Sequence, residues 1–179
     1  MTVYEWQPPK DHSRVFGIII IFLSVGAAFF VTPILVPSVP FHGVFQFIGI
    51  LAIVASIYVM TRCIAKSFVY AIIEDDGKLD FTVTELTNGA RRATTVCRIS
   101  LSGITEVRSF NMRDKRDNLL GKEFEAEARK DGRKCYIYST ELIASRVCII
   151  LCEECGEPLL IEFPYDERMF SLLNSGKEE

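Results

Sequence analysis

Val15 to Val36 reads VFGIIIIFLSVGAAFFVTPILV, a run of 22 residues without a charged side chain. About 20 helical residues span the hydrocarbon core of a bilayer, which is roughly 30 Å thick. A second run from Gly43 to Ala65, GVFQFIGILAIVASIYVMTRCIA, has 23 residues and one charge, Arg62. Because two such runs follow one another in a short chain, we expect two transmembrane helices in residues 15–65 rather than the core helices of a soluble domain. The first run is also too long for a signal peptide, and no small-residue cleavage site follows it.

The segment between the two runs, Pro37 to His42, contains two prolines and therefore predicts a turn that joins the helices into a hairpin. This turn has no Lys or Arg. The outer flanks of the two runs carry four basic residues: Lys10, Arg14, Arg62 and Lys66. Because Lys and Arg concentrate on the cytoplasmic side, we expect residues 1–14 to form a cytoplasmic tail, both termini to be cytoplasmic and the turn to lie outside.

The two runs contain no Asp, Glu or Lys. Ion paths and proton relays through membranes depend on ionisable side chains, so this hairpin alone does not predict a transporter. The small residues Gly26 and Ala27 allow close helix packing, and a homo-oligomer formed through them is an open alternative.

Residues 67–179 form a segment of about 113 residues, which is long enough for one domain with its own core. Leu79, Phe81 and Val83 alternate with polar residues, as expected of a half-buried strand. Strands are predicted at 68–74, 79–84, 91–101, 104–110, 135–140, 146–152 and 159–163. Asp166 is a suitable N-cap for a C-terminal helix whose apolar face begins at Met169. The charged segment 111–134 holds either extra structure or a loop. We therefore expect an α+β, mainly β, domain.

Three stretches of this domain resemble a known family: YAIIEDDGKL from Tyr70, VCRISLSGITEV from Val96 and IEFPYDE from Ile161. They are similar to the opening hairpin, a central strand pair and the strand-to-helix junction of bacterial pleckstrin-homology-like (PH-like) domains. The resemblance covers residues 68–175. It implies a PH-like, seven-stranded antiparallel barrel with a C-terminal helix, anchored in a bacterial cell membrane, and it supplies no catalytic signature.

Cys148, Cys152 and Cys155 are the candidates for a metal site. Cys152 and Cys155 form a C-x-x-C pair, with Cys148 four residues earlier. Structural zinc requires four Cys or His ligands, and both histidines precede residue 67, so the fourth ligand would be Cys97 or Cys135. A redox pair is a second interpretation. The third, which the sequence favours, is that these cysteines are small core residues in a reducing cytosol, with no cofactor.

Arg91, Arg92 and Arg98 are the candidates for binding anionic lipid headgroups, because they lie on or beside one predicted strand with no acidic residue among them. A basic side chain close to an anionic membrane contributes about 1 kcal/mol. Further basic residues occur at 108–116 and 129–134. The whole segment 67–179 is nevertheless acidic, with 16 Lys and Arg against 21 Asp and Glu, so an ordinary solvated surface stays an alternative.

Charge and motifs disfavour several classes of function. Nucleic-acid binding favours a basic domain, and this domain is acidic. The domain also lacks a histidine, a G-x-S-x-G sequence, a Gly-rich phosphate loop and an H-E-x-x-H motif. We therefore expect a membrane-anchored binding or scaffold module, not an enzyme, that presents its domain to a protein partner. Anionic lipid binding and a Cys-based metal or redox site are the alternatives.

Overall fold

The computed structural model describes residues 1–9, 13–36, 41–87, 91–141, 144–154 and 156–176. The chain divides into two compact units, one formed by Pro9–Lys66 and the other by Met1–Pro8 together with Ser67–Glu179. The first eight residues therefore belong to the folded C-terminal unit, whereas the sequence suggested a separate tail. The two-helix unit is an insertion between the first two strands of that domain.

Two long apolar helices form the first unit, α1 (Ser13–Leu35) and α2 (His42–Cys63). Both are long and apolar enough to cross a membrane, as the sequence predicted. Only 17% and 11% of their most apolar windows are buried within the protein, so these helices differ from the core helices of a soluble domain. The predicted turn falls largely on residues 37–40, which lie outside the described residues.

The two helices approach each other closely at a pair of glycines. A Cβ atom on Gly49 would lie 2.8 Å from the carbonyl oxygen of Gly26 and 2.9 Å from the backbone nitrogen of Phe30. A Cβ atom on Gly26 would lie 2.8 Å from the side chain of Ile53. Gly26, which the sequence offered for contact with a second copy, therefore packs within the hairpin itself.

The second unit contains eight strands, two α-helices and a short 3-10 helix (Leu101–Gly103) in the described part of the chain. The helices are α3 (Lys115–Lys130) and α4 (Glu167–Ser175). The strands are β1 (Thr2–Trp6), β2 (Lys66–Asp75), β3 (Lys78–Thr87), β4 (Arg92–Ser100), β5 (Ile104–Asn111), β6 (Lys134–Ile137), β7 (Arg146–Glu154) and β8 (Glu157–Pro164). They form a first sheet in the order β1-β2-β3-β4 and a second sheet in the order β5-β7-β8-β6.

The α+β class is confirmed, but the predicted seven-stranded antiparallel barrel is wrong. All seven predicted strands are present as β2–β8, and β1 adds an eighth. They form two separate four-stranded sheets, with no closed barrel in the described residues. The second sheet is also mixed, because β6 pairs with β8 in parallel.

The helix α3 explains the parallel strand. β5 and β8 both run antiparallel to β7, and β6 runs parallel to β8, so β5 and β6 have the same direction. Two strands of the same direction in one sheet need a crossover connection, usually a helix. Segment 111–134 supplies it, and Asp114 caps the helix by accepting hydrogen bonds from the backbone nitrogens of Arg116 and Asp117.

Two hydrophobic cores lie on opposite faces of the second sheet. The first lies between the sheets and includes Met169 and Leu173 of α4, and the second lies under Ala128 and Phe124 of α3. Since both faces of the second sheet are buried, β7 is a continuous apolar run instead of an alternating one. It contributes Cys148, Ile150 and Cys152 to the first core and Val147, Ile149 and Leu151 to the second.

Candidate functional site

The three arginines predicted for lipid binding do not form one patch. In the register of β3 and β4, Arg98 lies opposite Thr82 and Arg92 lies opposite Thr87. Thr82 and Thr87 are five residues apart on a regular strand, so they lie on opposite faces of the sheet, and so do the two arginines. A register shift at Val83 places one extra residue in β4 and produces this separation. Arg91 is exposed beside the start of β4.

Arg98 is also neutralised by two carboxylates. Its guanidinium contacts Asp75 at 2.6 Å and Asp80 at 2.7 Å. The hydrogen bond from Arg98 to Asp75, with the charge of the guanidinium, lowers the pKa of Asp75 below its ordinary value. A headgroup phosphate would have to compete with both carboxylates for this side chain.

Two of the three cysteines predicted for metal binding lie in the first core, and the third lies outside the described residues. Cys148 and Cys152 are both fully buried in the first core, and Cys155 lies outside the described residues. Burial raises the pKa of the Cys152 thiol to about 11, which opposes the thiolate form that zinc binds. Within the described ranges, no three His, Cys, Asp or Glu side chains are grouped to hold a metal ion. The three-cysteine site stays a prediction.

A groove of about 360 Å³ lies between β4, the last strand of the first sheet, and β6, the last strand of the second. We call it the β4–β6 groove. Each of these strands pairs with a neighbour on one side only. Side chains from both sheets line the groove: Val96, Cys97, Tyr136, Tyr138, Glu154, Glu157, Leu159 and Ile161.

Tyr138 bridges the gap between the two sheets. Its hydroxyl donates a hydrogen bond of 3.2 Å to the carbonyl oxygen of Val96, and its backbone nitrogen donates one of 2.8 Å to the carbonyl oxygen of Glu162. Its own carbonyl accepts a hydrogen bond from the hydroxyl of Tyr70, and its ring packs edge-on against Phe68. A side chain therefore joins the sheets where a closed barrel would have a ladder of backbone hydrogen bonds.

The thiol and the phenol in the groove are both neutral at physiological pH. Burial, with smaller contributions from the neighbouring Cys152 and Glu154, raises the pKa of Cys97 to about 12. Burial likewise raises the pKa of Tyr138. A thiol attacks as its thiolate, so Cys97 is not an activated nucleophile.

The charge of the groove is carried by two glutamates at one end. Glu157 is paired with Lys134, whereas Glu154 forms no ion pair with any described residue. Apolar and aromatic surface of the groove is also accessible, because Val96 and Tyr136 are 37% and 42% exposed. The groove thus combines exposed apolar surface, open strand edges and one uncompensated negative charge.

This groove was not predicted from the sequence. The alternation of Cys135-Tyr136-Ile137-Tyr138 was visible as a strand. Its position at a sheet edge opposite β4 depends on the crossover through α3, which the sequence left open. Comparison of the chain with protein-family models, with curated proteins and with solved structures finds no match in any of the three.

Proposed function

We propose that this protein is a membrane-anchored binding module that holds an extended segment of a protein partner in its β4–β6 groove. The hairpin of α1 and α2 serves as the anchor. Its support is the combination of length, apolar composition and exposure: more than four fifths of each apolar window is unburied within the protein. Apolar surface of this extent is stable in hydrocarbon and unfavourable in water.

The strand order supports a hairpin that enters and leaves the membrane on one side. β1 precedes α1, β2 follows α2, and these two strands pair antiparallel, with Glu5 opposite Ala71 and Trp6 opposite Tyr70. Two helices that begin and end at one folded domain cross a bilayer an even number of times. The basic residues at both ends favour the cytoplasm as the side that holds the domain.

The single observation that carries the binding proposal is that two open strand edges flank one groove with an apolar lining. An edge strand presents unpaired backbone N–H and C=O groups, and an extended peptide satisfies them by adding a strand. Because the Val96 carbonyl already accepts the Tyr138 hydroxyl, the peptide would pair with other backbone groups of these edges. The exposed side chains of Val96 and Tyr136 offer contacts for alternate residues of such a peptide. Glu154 favours a partner segment with a Lys or Arg at the matching end.

Binding fits this site better than catalysis does. Nucleophilic attack by Cys97, the cysteine that lines the groove, would need its thiolate. The pKa of Cys97 is raised to about 12, so at neutral pH the thiol is protonated. The aromatic, aliphatic and carboxylate groups of the groove lining can recognise a ligand by apolar contact and by charge.

The test is selection of peptides from a displayed random library on the full-length protein held in lipid nanodiscs. We expect enrichment of extended sequences that combine apolar residues with Lys or Arg. The enriched peptides should lose at least tenfold in affinity on Val96→Glu, which places a charge in the groove. Glu154→Gln should weaken only the peptides that contain a basic residue.

A matched control is Thr94→Glu, which adds the same charge to an exposed position of β4 that does not line the groove. It should leave peptide affinity unchanged. Absence of enrichment, or peptides that bind the Val96→Glu and Thr94→Glu proteins equally well, would show that the groove is not the binding site.

A further inference from the structure

The N-terminal half of α3 exposes two leucines at the surface. Leu119 is 61% exposed and Leu120 is 47% exposed. The buried side of the same helix is formed by Gly121, which packs on Phe110, and by Ala128. The leucine pair is therefore not needed to hold α3 on its sheet.

Four basic residues surround this leucine pair. Residues three or four positions apart are neighbours on a helix, which places Lys115, Arg116 and Lys122 beside the leucines, and Arg113 precedes the helix by two positions. All four are exposed. The two leucines and the four basic residues together are called the α3 patch: Arg113, Lys115, Arg116, Leu119, Leu120 and Lys122.

The ion pairs of the domain distinguish these cations from four other basic side chains. Several basic side chains outside the patch are neutralised by carboxylates: Arg98, Arg108, Arg129 and Lys134. None of the four cations of the patch forms an ion pair with a described residue. Their charge is available to an external partner.

The acidic neighbours of the patch are few and partly engaged. Asp114 accepts hydrogen bonds from the first turn of α3, and Asp117 accepts one from the backbone nitrogen of Asn111 at 3.4 Å. Glu123 is the third acid within residues 113–123. Four cations against three acids make this segment positive within a domain that is acidic overall.

We propose that the α3 patch docks on the surface of an anionic lipid bilayer, with Leu119 and Leu120 at the level of the headgroups and the four cations facing lipid phosphates. Exposed leucines between basic side chains are the composition of helices that bind membrane surfaces. A bilayer is the partner to which both parts of the patch are complementary, one by charge and the other by apolar contact. This inference rests on the proposed membrane insertion of α1 and α2, which keeps the domain within reach of lipid.

The test uses the full-length protein with the photo-crosslinking residue p-benzoylphenylalanine in place of Leu119. The protein is held in nanodiscs of phosphatidylcholine alone or mixed with phosphatidylglycerol. Mass spectrometry then measures the lipid adducts of that position. We expect several-fold more adduct in the anionic nanodiscs at low salt, and a fall to the level of neutral nanodiscs at high salt.

Charge removal should have the same effect as salt. Each basic side chain near an anionic surface changes the docking equilibrium about fivefold, so Lys115→Ala, Arg116→Ala and Lys122→Ala together should abolish the difference between the two lipids. Three exposed cations elsewhere, Lys78, Lys130 and Arg168, provide a control with the same loss of charge. Their replacement by alanine should retain most of the adduct.

Three outcomes would overturn the proposal. Equal adduct in neutral and anionic nanodiscs would exclude recognition of anionic lipid, and an adduct with a protein would assign the patch to a protein partner. Stronger lipid adducts from a probe at position 94 than from one at position 119 would show that β4, the strand that holds Arg92, is the lipid-binding element. A failure of the anchor is distinguishable, because the protein would then not be retained in nanodiscs of either composition.

Discussion

The hydroxyl of Tyr4 donates a hydrogen bond of 3.0 Å to the carboxylate of Asp166, although the two residues lie 162 positions apart. The same carboxylate oxygen accepts the backbone N–H of Met169 at 2.8 Å and so caps α4. Burial and the hydrogen bond to Asp166 raise the pKa of Tyr4, which keeps the hydroxyl protonated as a donor. One carboxylate therefore ties the strand before the helical hairpin to the last helix of the chain.

Loss of the Asp166 carboxylate should destabilise the domain more than loss of the Tyr4 hydroxyl. Tyr4→Phe removes one hydrogen bond and should lower the free energy of unfolding by about 1 kcal/mol. Asp166→Ala also removes a helix cap and should lower it by about 2 kcal/mol. Denaturant unfolding of the full-length protein, followed by the fluorescence of its single tryptophan, Trp6, measures both. Tyr136→Phe is the control, because the Tyr136 hydroxyl forms no hydrogen bond with a described residue. A loss of stability on Asp166→Ala that is no larger than the loss on Tyr4→Phe would contradict this account.

Removal of residues 2–6 should make the protein self-associate. β1 covers the edge of β2, and Trp6 packs on Tyr70 at a ring distance of 5.5 Å. Without β1, β2 becomes an open edge strand with apolar side chains, which is a template for pairing between copies. Size-exclusion chromatography in detergent should show larger species for the deletion than for Thr2→Ala, which retains the strand. A deletion variant that keeps the elution volume of the intact protein would show that β1 does not protect this edge.

Replacement of Gly49 by leucine should separate α1 from α2. Any side chain at this position meets the backbone of Gly26 and Phe30 at less than 3.0 Å, and overpacking of this kind typically costs about 1–3 kcal/mol. Gly43 lies on the same helix with no atom within 4 Å of its Cβ position, so Gly43→Leu is the matched control. Thermal loss of helical circular dichroism in micelles should occur at a lower temperature for Gly49→Leu only. Equal melting of both variants would place the helix contact elsewhere.

The thiol of Cys97 should react slowly at neutral pH and faster as the solution becomes alkaline. Its pKa of about 12 leaves roughly one thiolate in ten thousand at about pH 8. Alkylation measured residue by residue with mass spectrometry should therefore lag far behind that of glutathione. Alkylation of Cys97 at the rate of glutathione near neutral pH would refute the buried, neutral thiol on which the binding proposal depends.

The raised pKa of Cys97 makes the stability of the folded protein depend on pH in the alkaline range. The pKa of Cys97 in the folded protein lies above its ordinary value of 9.0, so the folded state favours the protonated thiol. Its contribution to stability is complete below about pH 9 and is lost as the pH rises toward about 12. Cys97→Ser, whose hydroxyl does not titrate in this range, should show a smaller alkaline loss of stability than the unmodified protein does.

Sequence patterns were sufficient where structure depends on neighbours along the chain. The two apolar helices, the seven strands from β2 to β8 and the helix capped by Asp166 all follow from hydrophobic period, turn residues and capping chemistry. β1 was missed because five residues before a long apolar helix form no period of their own. Their role as a strand depends on β2, which lies about 60 residues further along the chain.

Only the tertiary structure decided how these elements combine. The direction of β6, the division into two sheets and the β4–β6 groove all depend on α3 crossing from β5 to β6. The separation of Arg92 from Arg98 depends on one extra residue in β4, and the α3 patch depends on which side of the helix packs on the sheet. The physical reason is that periodicity shows which residues become buried, whereas strand partners and open edges are set by contacts between distant segments. Alternative strand pairings compete for the same backbone hydrogen-bonding groups, and a single sequence does not show which pairing forms in the folded protein.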